Sequence, residues 1–222
     1  MSSPGTPPSA QNDRAFGVLR QFVRKKKSNA ETCQMCSVEL GGEHAHLIDP
    51  AAHKIICACD ACAILFSSQS ATKFRRIPRR IRALPDFRMT EMQWEGLMIP
   101  IEMAFFFKGG EPARVNAFYP GPAGATESLL SLEAWGEIES ENPELQQMEP
   151  EVEALIANRV GVGRGADAQY FIVPIDECYK LVGLIRLHWH GLSGGTEVWR
   201  EVTKFFASLN ERAENSAAKA DA

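Results

Sequence analysis

The chain of 222 residues lacks any run approaching the roughly 18 consecutive apolar residues that a membrane-spanning helix needs. Its longest apolar stretches, 99–107 and 170–175, are short and interrupted by polar groups. The first 13 residues are rich in Ser, Pro and Gly and have neither the basic nor the apolar region of a secretory leader, so a cytoplasmic location is expected. Catalytic patterns are also missing. No Ser/His/Asp set, no Cys/His pair at a recognisable spacing and no paired-carboxylate site can be assembled, and the glutamates from Glu133 to Glu153 fall on expected solvated helix faces. The segment 120–126 is rich in Gly and Pro but lacks the Lys and the spacing of a phosphate-binding loop, which predicts a plain strand-to-helix turn. The composition, 45% hydrophobic and 23% charged, excludes collagen-like and wholly disordered chains.

Charge of one sign is not in excess either: 24 basic against 28 acidic residues leave a net charge of −4. The balance is local, however. Residues 14–82 hold 13 basic and 5 acidic side chains, a charge of +8, and the remainder holds 11 and 23, a charge of −12. Five of the six cysteines, Cys33, Cys36, Cys57, Cys59 and Cys62, lie in the basic block, and Cys178 lies outside it. In a reducing compartment such clustering points to metal ligands or reactive thiols rather than disulfides.

Two Cys-x-x-Cys turns, Cys33 with Cys36 and Cys59 with Cys62, flank two short strand-like segments, 45–49 and 54–57, joined by a turn at 50–53. The second pair opens a helix at 63–66. This order is treble-clef-like, and four thiolates converging on one ion form a closed tetrahedral site in which no position is left for water. A structural Zn²⁺ held by Cys33, Cys36, Cys59 and Cys62 is therefore expected, in a module with little else to build a core from. Five cysteines compete for four positions. Cys57 could replace a ligand, stay a buried thiol or act as a redox neighbour, and His46 is an alternate ligand, with His44 also within reach of the site. Iron uses the same paired turns, although Ser37 and Ala63 stand where such turns usually continue with Gly, and spacing alone leaves an iron–sulfur cluster open.

Periodicity organises the rest. Residues 1–13 and 212–222 read as disordered tails, and residues 14–72 combine an amphipathic basic helix (14–27) with the cysteine module. Residues 73–89, rich in Arg and broken by Pro78 and Pro85, read as a linker or edge strand, and residues 90–211 as an α+β domain. Within that domain the sequence predicts a capping box at Thr90, an antiparallel hairpin of 101–107 with 114–119, and helices over 126–141 and from Pro150 onward carrying Val152, Leu155, Ile156 and Val160. It further predicts a strand at 170–173, a helix capped by Asp176 with Cys178 on its apolar stripe, and a last helix capped by Thr196 with Val198, Trp199, Val202, Phe205, Phe206 and Leu209 buried. His188 and His190 fit a helix C-terminus better than a catalytic role. The fold class is α+β: a small treble-clef or zinc-ribbon-like module followed by an α+β domain with a short antiparallel sheet and several helices.

The strings at 46–49, 56–66, 101–107, 119–128, 173–176 and 191–195 resemble an uncharacterised bacterial family typically encoded beside actinobacterial-type, oxygen-tolerant nickel–iron hydrogenases, over about residues 18–212. The resemblance implies an accessory role in assembling, maturing or supplying electrons to that hydrogenase, with hydrogenase subunits or maturation factors as protein partners. The residues themselves imply a metal-stabilised interaction protein. Two other functions are compatible with the same features. The lysines 25–27 and Arg75, Arg76, Arg79, Arg80 and Arg82 beside a zinc module suit a nucleic-acid-binding regulator, and iron in the cysteine site would make a small redox protein.

Overall fold

The computed structural model describes residues 31–67, 73–110, 114–128, 132–191 and 193–220, and the expected basic helix at 14–27 lies outside them. The architecture is mixed α+β with two antiparallel sheets. The smaller sheet has the order β2-β1-β3, built from β1 (Ala45–Asp49), β2 (Lys54–Ala58) and β3 (Arg75–Arg76). It packs against α1 (Asp60–Ser67), which the second cysteine pair opens. The larger sheet has the order β4-β9-β8-β5-β6-β7, from β4 (Arg82–Ala83), β5 (Met103–Gly109), β6 (Arg114–Gly121), β7 (Gly124–Ser128), β8 (Glu153–Asn158) and β9 (Gln169–Pro174). The helices are α2 (Glu91–Gly96), α3 (Leu132–Glu141), α4 (Ile175–His188) and α5 (Gly195–Ala220).

The larger sheet is covered on both faces. On one, Met103, Phe105, Phe107, Ala154, Ile156, Phe171 and Val173 meet Leu181, Ile185, Val202 and Phe206 of α4 and α5. On the other, Ala104, Phe106, Leu155, Ala157 and Ile172 meet Trp94, Leu97, Trp135 and Ile138 around α2 and α3. Successive side chains of a strand point to opposite faces, so a strand covered on both sides reads as an unbroken apolar run. That explains the correction at Pro150. The expected helix there is β8, laddered to β5 at Phe105↔Ile156 and to β9 at Leu155↔Ile172. Val160, expected in its apolar face, is 38% exposed.

The hairpin β5–β6, the strand at 170–173 and the Thr90 capping box form as expected, the last with the Thr90 Oγ1 accepting from the Gln93 backbone N–H. The segment 120–126 does not turn into a helix. It closes the β6–β7 hairpin, with Gly121 paired to Gly124, whose φ of +129° only glycine tolerates easily. The helix expected from 126 therefore starts at Leu132; Leu129 lies outside the described residues. Helix α4 is capped by Pro174 with no side-chain hydrogen bond, which puts Asp176 in the first turn. Helix α5 begins at Gly195 and continues to Ala220, so the polar stretch from 212 is helical; Arg212 pairs with Glu177 at 2.7 Å and Ala213 is buried. Trp199, expected in the core, is 40% exposed and donates its indole N–H to the Ser193 carbonyl.

The Arg/Pro-rich segment joins the sheets. It gives β3 to one and β4 to the other, and between them Ile77 and Ile81 enter the same core as Ile48 of β1 and the helices α4 and α5. Three of its arginines, Arg75, Arg80 and Arg82, meet acid. Glu153, with 0% exposed surface, accepts from Arg80 Nε at 2.6 Å and Arg80 Nη2 at 3.1 Å, Arg82 stands 3.9 Å away, and Arg75 pairs with Glu149 at 3.2 Å. Removing Arg80 leaves a buried carboxylate short of donors, so Arg80→Ala should destabilise the chain by about 1–3 kcal/mol in denaturant titrations, and Glu153→Gln, which keeps the shape and removes the charge, by less. Phe105→Ala should cost about 3–5 kcal/mol in the same assay.

Candidate metal centre

The two Cys-x-x-Cys turns are brought together by the β1–β2 hairpin. Ala45, Leu47, Ile56 and Ala58 on one face of that hairpin pack with Cys33, Cys62 and Ala63 into a small core of their own. The first turn closes tightly: the Ser37 N–H donates to the Cys33 carbonyl at 2.8 Å and the Cys33 N–H to the Val38 carbonyl at 2.8 Å. Ser37 takes φ +64°, the left-handed conformation for which glycine is the usual residue, so the turn keeps its shape without its customary glycine. The second turn runs into α1, with the Ala63 N–H on the Cys59 carbonyl at 2.8 Å and the Cys62 N–H directed at Cys59 Sγ at 3.5 Å.

The result is one cluster. The Sγ atoms of Cys33, Cys36, Cys59 and Cys62 all lie within 4.8 Å of one another, all four are free thiols, and Cys36 Sγ is 3.8 Å from Cys59 Sγ. A tetrahedral ion with metal–sulfur bonds of about 2.3 Å sets its sulfurs about 3.8 Å apart, so the spacing fits a single metal ion. The thiols also compete for negative charge. Burial pushes the Cys33 thiol up, but the backbone N–H groups of Cys59, Cys36 and Met35 outweigh it and bring it down to about 6. Cys62 is pushed up to about 12, first by Cys59, then by burial and the neighbouring sulfurs. Four sulfurs this close cannot all be thiolates unless a cation shares the site.

The alternate ligands are not in this cluster. His46 and Cys57 are cross-strand partners whose side chains leave the other face of the hairpin, where they gather with His44 in a second group whose ligand atoms lie within 4.8 Å of one another. Burial raises the Cys57 thiol, with the Glu31 and Cys33 charges adding to it. His46 Nδ1 meets Asp176 Oδ2 of α4 at 2.6 Å, and His46 Nε2 lies 3.1 Å from His44 Nε2. Cys178 is wholly buried in the main core, and burial pushes its thiol far up, as expected of an inert side chain. His188, at the end of α4, pairs with Glu197 at 3.3 Å.

Residues 32–213 match the model of a family of unknown function, DUF5947. The chain belongs to this family. No curated protein and no solved structure matches it. The family match spans both the cysteine cluster and the larger sheet, and so carries the whole described fold except the end of α5 and Glu31. One charged site in this family member left no pattern in the sequence. The Arg159 side chain is buried, with its guanidinium 5.2 Å from the Trp94 ring centroid, 3.1 Å from the Tyr170 hydroxyl and paired with Glu91 and Glu102. It sits just past β8, where the sequence predicts helix.

Protons and a metal ion compete for the same sulfur lone pairs, and protonation removes the ligand. The ion should therefore be retained at neutral pH and released on acidification, as a metal-sensitive dye would record. Cys36→Ala should remove the ion held by the four-cysteine cluster at neutral pH, seen as loss of its sulfur-to-cobalt absorption after Co²⁺ exchange.

Proposed function

We propose that this protein is a zinc-stabilised interaction protein whose cysteine module docks a partner protein, and that the partner belongs to the assembly, maturation or electron supply of a nickel–iron hydrogenase. The observation that carries the docking role is the surface of α1. Directly behind the second cysteine pair, Ile64, Leu65 and Phe66 are 57%, 59% and 37% exposed, and Val38 beside the first turn is exposed as well. Adjacent large apolar side chains on so small a module are an unusual use of surface unless something covers them. The hydrogenase as partner rests on the resemblance of the sequence strings.

Zinc is the preferred ion because a four-cysteine site has its coordination filled by protein and serves to hold structure, and because sulfurs this close suit one ion rather than a multi-iron cluster. The division into a cysteine module (14–72), a linking segment (73–89) and an α+β body (90–211) belongs to this proposal: the module carries the docking face and the body anchors it. Nucleic-acid binding is the weaker reading, since three of the five arginines of the run, Arg75, Arg80 and Arg82, are engaged with Glu149, Glu153 and Gln147.

The test is reconstitution of the purified full chain with hydrogenase subunits, followed by co-elution. A complex should form with the native chain and be lost with Ile64→Glu or Phe66→Glu while metal content and circular dichroism stay unchanged. Absence of any complex with the native chain would overturn the hydrogenase role, and a complex indifferent to both substitutions would overturn the docking face.

A further inference from the structure

The group on the far face of the hairpin is a second site. We propose that His44, His46 and Cys57 bind a divalent transition-metal ion such as Zn²⁺, separately from the four-cysteine cluster, with Asp176 as the group that orients His46.

The neighbours of the two rings fix which nitrogen of each carries its proton. His44 Nδ1 lies 3.1 Å from the Gly41 carbonyl oxygen, and His46 Nδ1 lies 2.6 Å from the Asp176 carboxylate. Both neighbours only accept, so both Nδ1 atoms donate and both neutral rings are left with a lone pair on Nε2. Those two Nε2 atoms face each other at 3.1 Å. Two lone pairs at that distance repel unless a cation lies between them. Nitrogens bound to one tetrahedral ion at about 2.0–2.1 Å are about 3.3 Å apart, so the observed pair already has close to the edge length of such a site.

The surrounding charge points the same way. Cys57 is fixed opposite His46 by the register His46↔Cys57, and its sulfur completes a group with all ligand atoms within 4.8 Å. Glu31 Oε2 stands 3.5 Å from His44 Nε2. Asp176 Oδ1 is sealed from solvent with no hydrogen-bond partner among the described residues. Two carboxylates and a thiol around the two imidazoles offer lone pairs and negative charge to an ion. A carboxylate hydrogen-bonded to the far nitrogen of a metal-binding histidine is also the usual means of fixing that ring and raising its basicity. Two imidazoles and one thiolate suit a borderline ion of the Zn²⁺ type better than a hard one.

The site differs from the four-cysteine cluster in what it leaves open. Three protein ligands leave a fourth position, and His44 and His46 line a cleft of about 580 Å³ shared with Arg79, Asp176, Lys180 and Arg212. The pair of histidines projects from the module, and Asp176 and the rest of α4 belong to the body, so an ion here ties the two together.

The full chain is saturated with Zn²⁺, freed of loosely held metal by gel filtration, and its metal content measured. The native chain should retain two ions. His46→Asn and Cys57→Ser should each retain one, with the sulfur-to-cobalt absorption of the four-cysteine site intact after Co²⁺ exchange, which also shows that the module is folded. Asp176→Asn should weaken only the second site, by about 10–100-fold in affinity. One ion in the native chain would overturn the proposal and leave a proton between the histidines, and two ions in His46→Asn and Cys57→Ser alike would overturn it by placing the second ion elsewhere.

Discussion

Four sulfurs within 4.8 Å of one another set the terms for the N-terminal module. Without a cation their charges exclude each other: backbone N–H groups bring the Cys33 thiol down to about 6, while Cys59, burial and the other sulfurs push Cys62 up to about 12. With a cation the same crowding becomes four bonds. The apolar residues around the cluster, Ala45, Leu47, Ile56, Ala58 and Ala63, are few and mostly small, so the module has little hydrophobic driving force of its own and its shape depends on what those sulfurs hold.

The body works by a different rule. Its sheet is covered on both faces by ordinary close packing around Phe105, Phe106, Leu155 and Ile156. The two regimes meet along the β1–β2 hairpin. One face of the hairpin closes over the cysteines, and from the other Ile48 joins the main core while His46 reaches Asp176 in the first turn of α4. The link between 77 and 81 adds two buried isoleucines, and the bidentate Arg80–Glu153 pair fastens the same segment from outside. The basic block and the acidic remainder are in this way partly reconciled inside the molecule, which bears on how much positive charge is left for a partner.

Much of this was legible in the residues. The Cys-x-x-Cys pairs flanking two short strands state the cluster directly, because the turn and the hairpin are local structures. The β5–β6 hairpin, the Thr90 cap and the helices α4 and α5 were legible for the same reason. What failed was the strand buried on both faces. Val152, Leu155, Ile156 and Val160 match a helical stripe, and only the ladders to β5 and β9, set by contacts far along the chain, decide for a strand. The turn at 122–123 failed similarly, since Gly and Pro mark a reversal of the chain but do not decide between a strand and a helix after it. The histidine pair lay between these cases. With a turn at 50–53, Asp49 faces Lys54 and His46 must face Cys57, so alternation alone puts His44, His46 and Cys57 on one face. Asp176, 130 residues away, could not have been found that way.

The central claim is that Cys33, Cys36, Cys59 and Cys62 surround one metal ion. X-ray absorption at the zinc edge, on the full chain carrying one equivalent of zinc, tests it most directly. The account predicts a shell of four sulfurs at about 2.3 Å with no metal neighbour. A shell containing nitrogen or oxygen at that loading, or a second metal at short distance, would contradict it.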